Sequence, residues 1–164
     1  MSFVKARQLA LELPVEERFE AEDFLVGDCN ALAYNMLEQW PDWRDCVLLL
    51  IGPPGSGKTH LTTIWARRAE AQRINPSQIN SALVQAMTPD HALLVEDMDQ
   101  APFDEAALFH LLNRSREVKS SIVLTARTPP SDWGLKTPDL LSRLRLAPRI
   151  DVQEPDDGLL TALL

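Results

Sequence analysis

Six consecutive residues of apolar character, Cys46 to Ile51, run without a break into Gly52-Pro53-Pro54-Gly55-Ser56-Gly57-Lys58-Thr59. An uninterrupted apolar run of this length is what a parallel strand covered on both faces requires. After the glycines, Leu61, Ile64, Trp65 and Ala69 recur at helical spacing. The segment therefore reads strand, glycine-rich loop, helix. Gly52, Gly55 and Gly57 let the backbone curl with its N–H groups pointing inward, a conformation that side chains would obstruct. The N-terminus of the following helix aims its partial positive charge at the same place. Lys58 and Thr59 complete the Walker A pattern, the lysine suited to neutralise β and γ phosphates and the hydroxyl to hold Mg²⁺. With Pro53, Pro54, Ser56 and His60, these residues form the expected phosphate-binding stretch.

The chain has 164 residues, 45% hydrophobic and 24% charged, enough for one globular domain with its own core. Its net charge of -8 argues against broad nucleic-acid binding, which needs a basic surface to neutralise phosphates. No direct nucleic-acid contact is expected. Cys29 and Cys46 have no metal-ligand spacing and read as buried free thiols, while His60, His91 and His110 are scattered, so a metal site built from side chains alone is not expected. No apolar run has the length of a signal peptide core or a membrane span, and a cytoplasmic protein follows as the expectation.

Along the chain the pattern predicts an extended arm over residues 1–22 and a nucleotide-binding core over 23–164. Helices are predicted at Asn30–Gln39, Lys58–Ala71, Gln78–Met87, Glu105–Val118 and Pro138–Leu144, and strands at 46–51, 91–96, 121–126 and 149–153. Strands alternating with helices imply an α/β fold of P-loop NTPase type, a parallel sheet flanked by helices. Between Ala71 and Ser77 a further strand is expected for such a sheet, yet Gln72-Arg73-Ile74-Asn75-Pro76 holds one good strand residue, so that strand is short or absent.

Two more strand ends carry polar groups. His91-Ala92-Leu93-Leu94-Val95-Glu96-Asp97 closes in two carboxylates, the arrangement of a Walker B motif, with Glu96 in the place usually held by a metal-binding Asp and Asp97 placed to polarise the attacking water. Ser121 to Arg127 runs into Thr128-Pro129-Pro130, where Thr125 or Arg127 is placed to report on a γ-phosphate; an ordinary strand exit with Arg127 solvated is the alternative. Arg143 ends an amphipathic helix, where it suits either a surface salt bridge or a reach into a partner's nucleotide site. At the other end, Gln8, Leu9, Leu11 and Leu13 alternate ahead of Pro14, a pattern fitting either an extended peptide docked on a partner or an edge strand of its own domain.

Taken together these motifs resemble the Hda group of DnaA-related AAA+ proteins, regulatory inactivators of the bacterial replication initiator DnaA. The resemblance spans nearly the whole chain: Gln8 to Leu13 is similar to the group's sliding-clamp-binding peptide, and Phe24-Leu25-Val26-Gly27 with Asn30 to the segment that borders the adenine site. Walker A, Walker B, Leu124-Thr125-Ala126-Arg127-Thr128-Pro129-Pro130 and Ser142-Arg143-Leu144 follow in family order, and Phe109-His110 with Asn113 resembles the intervening helix. The resemblance implies an AAA+ base subdomain holding ADP or ATP with Mg²⁺, partnered by DnaA and by the β sliding clamp of DNA polymerase III, able to self-associate, and working near the replisome or nucleoid. It implies that Val26 and Asn30 touch the nucleotide and that Arg143 is offered in trans to the DnaA site. Two departures stand out: no helical lid of AAA+ modules is expected within these residues, either because this is a truncated version or because the core works without one, and Arg127 stands where DnaA-type proteins often carry an acidic residue. An autonomous ATPase of helicase-loader type and an inert AAA+-like interaction module are the competing expectations.

Overall fold

The computed structural model describes residues 26–154. The arm residues Gln8, Leu9, Leu11 and Leu13, and the helical segment expected over 156–164, lie outside the described residues. Five strands form one sheet: β1 (Val47–Ile51), β2 (Gln72–Ile74), β3 (Ala92–Val95), β4 (Ser121–Ala126) and β5 (Arg149–Asp151), in the order β2-β3-β4-β1-β5. Every pairing is parallel. Five α-helices accompany them: α1 (Ala31–Glu38), α2 (Lys58–Ala69), α3 (Ser81–Ala86), α4 (Glu105–Val118) and α5 (Pro138–Leu146).

The side-chain alternation of a strand divides the core in two. Val47, Leu49 and Ile51 of β1 join Leu93, Val95, Ile122 and Leu124 against Leu108, Leu111 and Leu112 of α4 and Leu140 and Leu144 of α5. Leu48 and Leu50 turn the other way, with Leu94, Val123 and Ile150, onto Leu61 and Trp65 of α2 and Ala33 and Leu37 of α1. All five β1 residues are buried, as a strand with helices on both faces demands. Trp65 is 1% exposed, stacks on Trp43 at 5.6 Å and meets Trp40 edge-on at 6.3 Å, which fastens the chain leading into β1 onto α2.

Several boundaries differ from the sequence pattern for local reasons. The helix expected over Gln78–Met87 is split: Pro76–Gln78 forms a 3₁₀ turn, capped when the Asn75 amide donates to Gln78 Oε1, and α3 begins at Ser81 behind the Asn80 side chain, which accepts from the Leu83 amide at 2.9 Å. The doubtful strand does form. Gln72–Ile74 pairs with Leu93–Val95, held by β3 rather than by its own propensity. Cys29 is buried, whereas Cys46 is only part-buried; both are free thiols. Among the described residues no helix is long and apolar enough to cross a membrane.

Candidate functional site

The three central strands end at the same edge of the sheet, and their exits meet at the glycine-rich loop. The Gly52 amide donates to the Ala126 carbonyl at 3.1 Å, binding the loop's first residue to the end of β4. On its other side Gly52 lies against β5, where a Cβ would run into the Val152 carbonyl and come within 2.8 Å of Ser56 Oγ. Glycine is needed there for close approach. Gly55 and Gly57 have φ of 77° and 90°, the left-handed conformation that bends the loop over, and Gly57 caps the N-terminus of α2. Pro53 is part-buried, Pro54 exposed and Ser56 buried; His60 sits part-buried in the first turn of α2.

Lys58 is folded back into this loop and is 8% exposed. Its Nζ donates to the carbonyl oxygens of Gly52 at 2.5 Å and Pro53 at 3.0 Å, and to Ser56 Oγ at 3.3 Å. Burial pushes the ammonium below its ordinary range; Asp97 and Asp99 pull it back up, and Arg127 adds to the lowering. A desolvated cation solvated only by carbonyl and hydroxyl oxygens is primed to exchange them for an anion. Thr59 is exposed on the same first turn.

Beyond β3, alternation carries Glu96 to the α2 face, where its Oε1 lies 3.4 Å from the Thr62 hydroxyl and its Oε2 3.9 Å from Arg73 Nη1. Asp97 is exposed and breaks the strand with φ of 58°. Its amide donates to Thr125 Oγ1 at 3.1 Å, and the Met98 amide donates to the Thr125 carbonyl at 2.9 Å. Thr125 is 2% exposed. Of the two residues considered as phosphate reporters, Thr125 is thus the one that positions Asp97, while the Arg127 side chain is exposed. The hydroxyl of Thr59 and the carboxylates of Glu96 and Asp97 are hard oxygen donors of the type that suits Mg²⁺. Among the described residues no cluster of three or more His, Cys, Asp or Glu can hold a metal, so an ion here needs nucleotide phosphates or water to complete its shell.

Asp99 went unnoticed in the sequence and ties two strand exits together. Its carboxylate accepts from the amides of Arg127 (3.0 Å) and Thr128 (2.8 Å) and from the Thr128 hydroxyl (2.8 Å). Only its distance in sequence from 127–128 concealed this role.

On the β5 side, Asn30 is 5% exposed and its Oδ1 accepts from the Gly27 amide at 2.9 Å. The Cys29 carbonyl accepts from the Gln153 amide at 3.2 Å, and the Val152 amide donates to the Ile51 carbonyl at 2.7 Å. Residues 27–30 are thereby secured to the exit of β5, which itself abuts Gly52. Val26, 48% exposed, lies at the start of this wall. Arg143 lies elsewhere, exposed on α5 with its guanidinium 5.9 Å from the Phe109 ring centroid of α4. Among the described residues it forms no ion pair.

The fold is shared with proteins of known structure. A DNA replication initiation factor superposes with a TM-score of 0.74 at 19% identity, over 90% of this chain and 53% of that one. Domain III of the Thermotoga maritima replication initiation protein DnaA gives 0.71 at 21% identity, over 88% and 71%, and AMPPCP-bound DnaA from Aquifex aeolicus gives 0.67 at 19%, over 82% and 50%. The fold is the AAA+ P-loop NTPase base. In sequence, the chain is 29% identical to an insertion sequence IS21 putative ATP-binding protein of Pseudomonas aeruginosa, over 53% of this chain and 40% of that protein. No protein-family model matches. The chain thus spans less than half of this curated relative and about half of two of these three solved chains.

Proposed function

We propose that this chain is a nucleotide-binding AAA+ regulator of replication initiation, of the Hda kind, that docks on the DNA sliding clamp and promotes hydrolysis of DnaA-bound ATP in trans. The observation that carries the reading is Arg143. It is an exposed arginine, engaged by no carboxylate among the described residues and resting on Phe109 of a neighbouring helix, on a fold shared with DnaA. A planar cation displayed in this way can stabilise charge developing on a partner's transferring phosphoryl group. In the chain's own loop the curled backbone and Lys58 bind ADP or ATP phosphates, residues 26–30 border the base, and Thr59 with Glu96 holds Mg²⁺, which neutralises phosphate charge when bound. Asp97, positioned by Thr125, orients water. Clamp docking rests on Gln8, Leu9, Leu11 and Leu13.

The deciding experiment is turnover of DnaA-bound ATP with and without DNA-loaded clamp. Stimulation that requires both the clamp and Arg143 supports the reading; equal stimulation by Arg143→Ala sinks it. A second reading, an autonomous ATPase, is favoured by the complete Walker A loop and by the IS21 ATP-binding relative. Such a protein hydrolyses ATP with neither partner present.

A further inference from the structure

We propose that Arg73, on the edge strand β2, is a positioning residue that holds the Glu96 carboxylate on the flank of α2, so that a divalent cation arriving with nucleotide must compete for it. The inference rests on reading the glycine-rich loop as a nucleotide site.

Strand alternation supplies the geometry. Arg73 lies opposite Leu94, and Leu94 faces the α2 side of the sheet. Arg73 therefore projects to that same side, as does Glu96, two residues beyond Leu94. There the Arg73 guanidinium engages both partners: Nη1 lies 3.9 Å from Glu96 Oε2, and Nη2 donates to the Thr63 hydroxyl. Thr63 Oγ1 in turn donates to the Thr59 carbonyl at 2.6 Å, and Thr62 Oγ1 lies 3.2 Å from that carbonyl and 3.4 Å from Glu96 Oε1. Glu96 Oε1 thus has its partner on α2, Thr62, and Oε2 has its partner on β2, Arg73; Thr62 lies against the Thr59 carbonyl directly, and Arg73 connects to it through Thr63.

Glutamate matters in this arrangement. Its extra methylene, relative to the aspartate usual at a Walker B position, lets one carboxylate touch α2 and still reach toward the edge strand. The pair is part-exposed, with Arg73 and Glu96 side chains 44% and 28% accessible, so the hold is weak enough for a cation to break. Arg73 then sets how much magnesium is needed rather than whether it binds. Thr63, released with it, frees no buried charge.

The test is a Mg²⁺ titration of fluorescent ADP binding to the full chain, compared with binding in EDTA. For Arg73→Gln, the half-saturating Mg²⁺ concentration falls roughly two- to fivefold, the scale expected of a part-exposed ion pair, with binding in EDTA unchanged. Arg73→Lys, which keeps the charge, stays within about twofold of the wild type. A cation removed from any nearby place would also favour Mg²⁺ through the general field, so the cycle with Glu96→Gln is decisive. In the Glu96→Gln background Arg73→Gln has no effect if the arginine acts through that carboxylate. An unchanged half-point in Arg73→Gln, or the same shift in both Glu96 backgrounds, overturns the proposal. ADP binding that ignores Mg²⁺ in every variant overturns it while leaving the nucleotide site standing. Absence of ADP binding by the wild type removes both readings.

Discussion

The Asp97 amide and the Thr125 hydroxyl, at the ends of neighbouring strands, are joined by a 3.1 Å hydrogen bond that fixes a left-handed, non-glycine residue at the mouth of the site. Replacing Thr125 by valine keeps the volume and removes the acceptor. The expected cost is about 1–3 kcal/mol of stability, the penalty of leaving a part-buried N–H without a partner, read as a lowered urea midpoint. Thr125→Ser retains the hydroxyl and recovers most of the loss. A valine variant as stable as wild type would show that Asp97 is held by other means.

Gly52 is the tightest point of the loop, because a side chain there meets the Val152 carbonyl. Backbone cannot move aside as a flexible side chain can. Gly52→Ala is expected to destabilise the protein by about 1–3 kcal/mol and to weaken nucleotide binding by parting the loop from β5. Thermal unfolding with and without ADP measures both.

Lys58 carries a pH signature. Burial holds its folded pKa below the ordinary 10.5, so the charged form is penalised in the folded state at every pH below that folded value. As pH rises from there toward 10.5, the unfolded chain binds more protons than the folded one, and stability increases through this residue. Phosphate supplies the missing counter-charge and raises the Lys58 pKa again. At alkaline pH, nucleotide binding should therefore take up a proton, and affinity should fall as pH passes the folded value. Calorimetry in buffers of differing ionisation enthalpy detects the uptake, which Lys58→Gln abolishes.

Asp99 behaves in the opposite sense. Burial works to raise its pKa, but hydrogen bonds from the side chains of Thr128 and Gln100 and the amides of Arg127 and Thr128 prevail and hold it below 3.8. Its stabilisation is present above 3.8 and is lost as pH falls through the folded value. Asp99→Asn should lose about 1–2 kcal/mol at neutral pH, and the gap to wild type should close in acid. Denaturant midpoints across that range test the convergence.

How much of this was legible in the sequence follows from the range of each interaction. Cys46 to Thr59 announced strand, loop and helix because the apolar run, the glycines and the Lys-Thr pair are neighbours in the chain, and their conformations follow from local sterics and burial. Glu96 and Asp97 were likewise visible as a polar end to an apolar run. The partners were not. Arg73 sits on a strand with too few apolar residues to declare itself, and β2 forms because β3 offers it a complete parallel edge. Asp99 reads as one more acidic residue until the ends of β3 and β4 are brought side by side, and the need for glycine at 52 comes partly from Val152, a hundred residues away. The sequence by itself determined the α/β layering and the curled glycine-rich loop, since both depend on residues close together along the chain. Only the tertiary structure decided which carboxylate answers to which arginine, which hydroxyl fixes Asp97, and that Arg143 lies over the Phe109 ring. Those outcomes depend on the order of strands in the sheet, which places distant residues at a common edge.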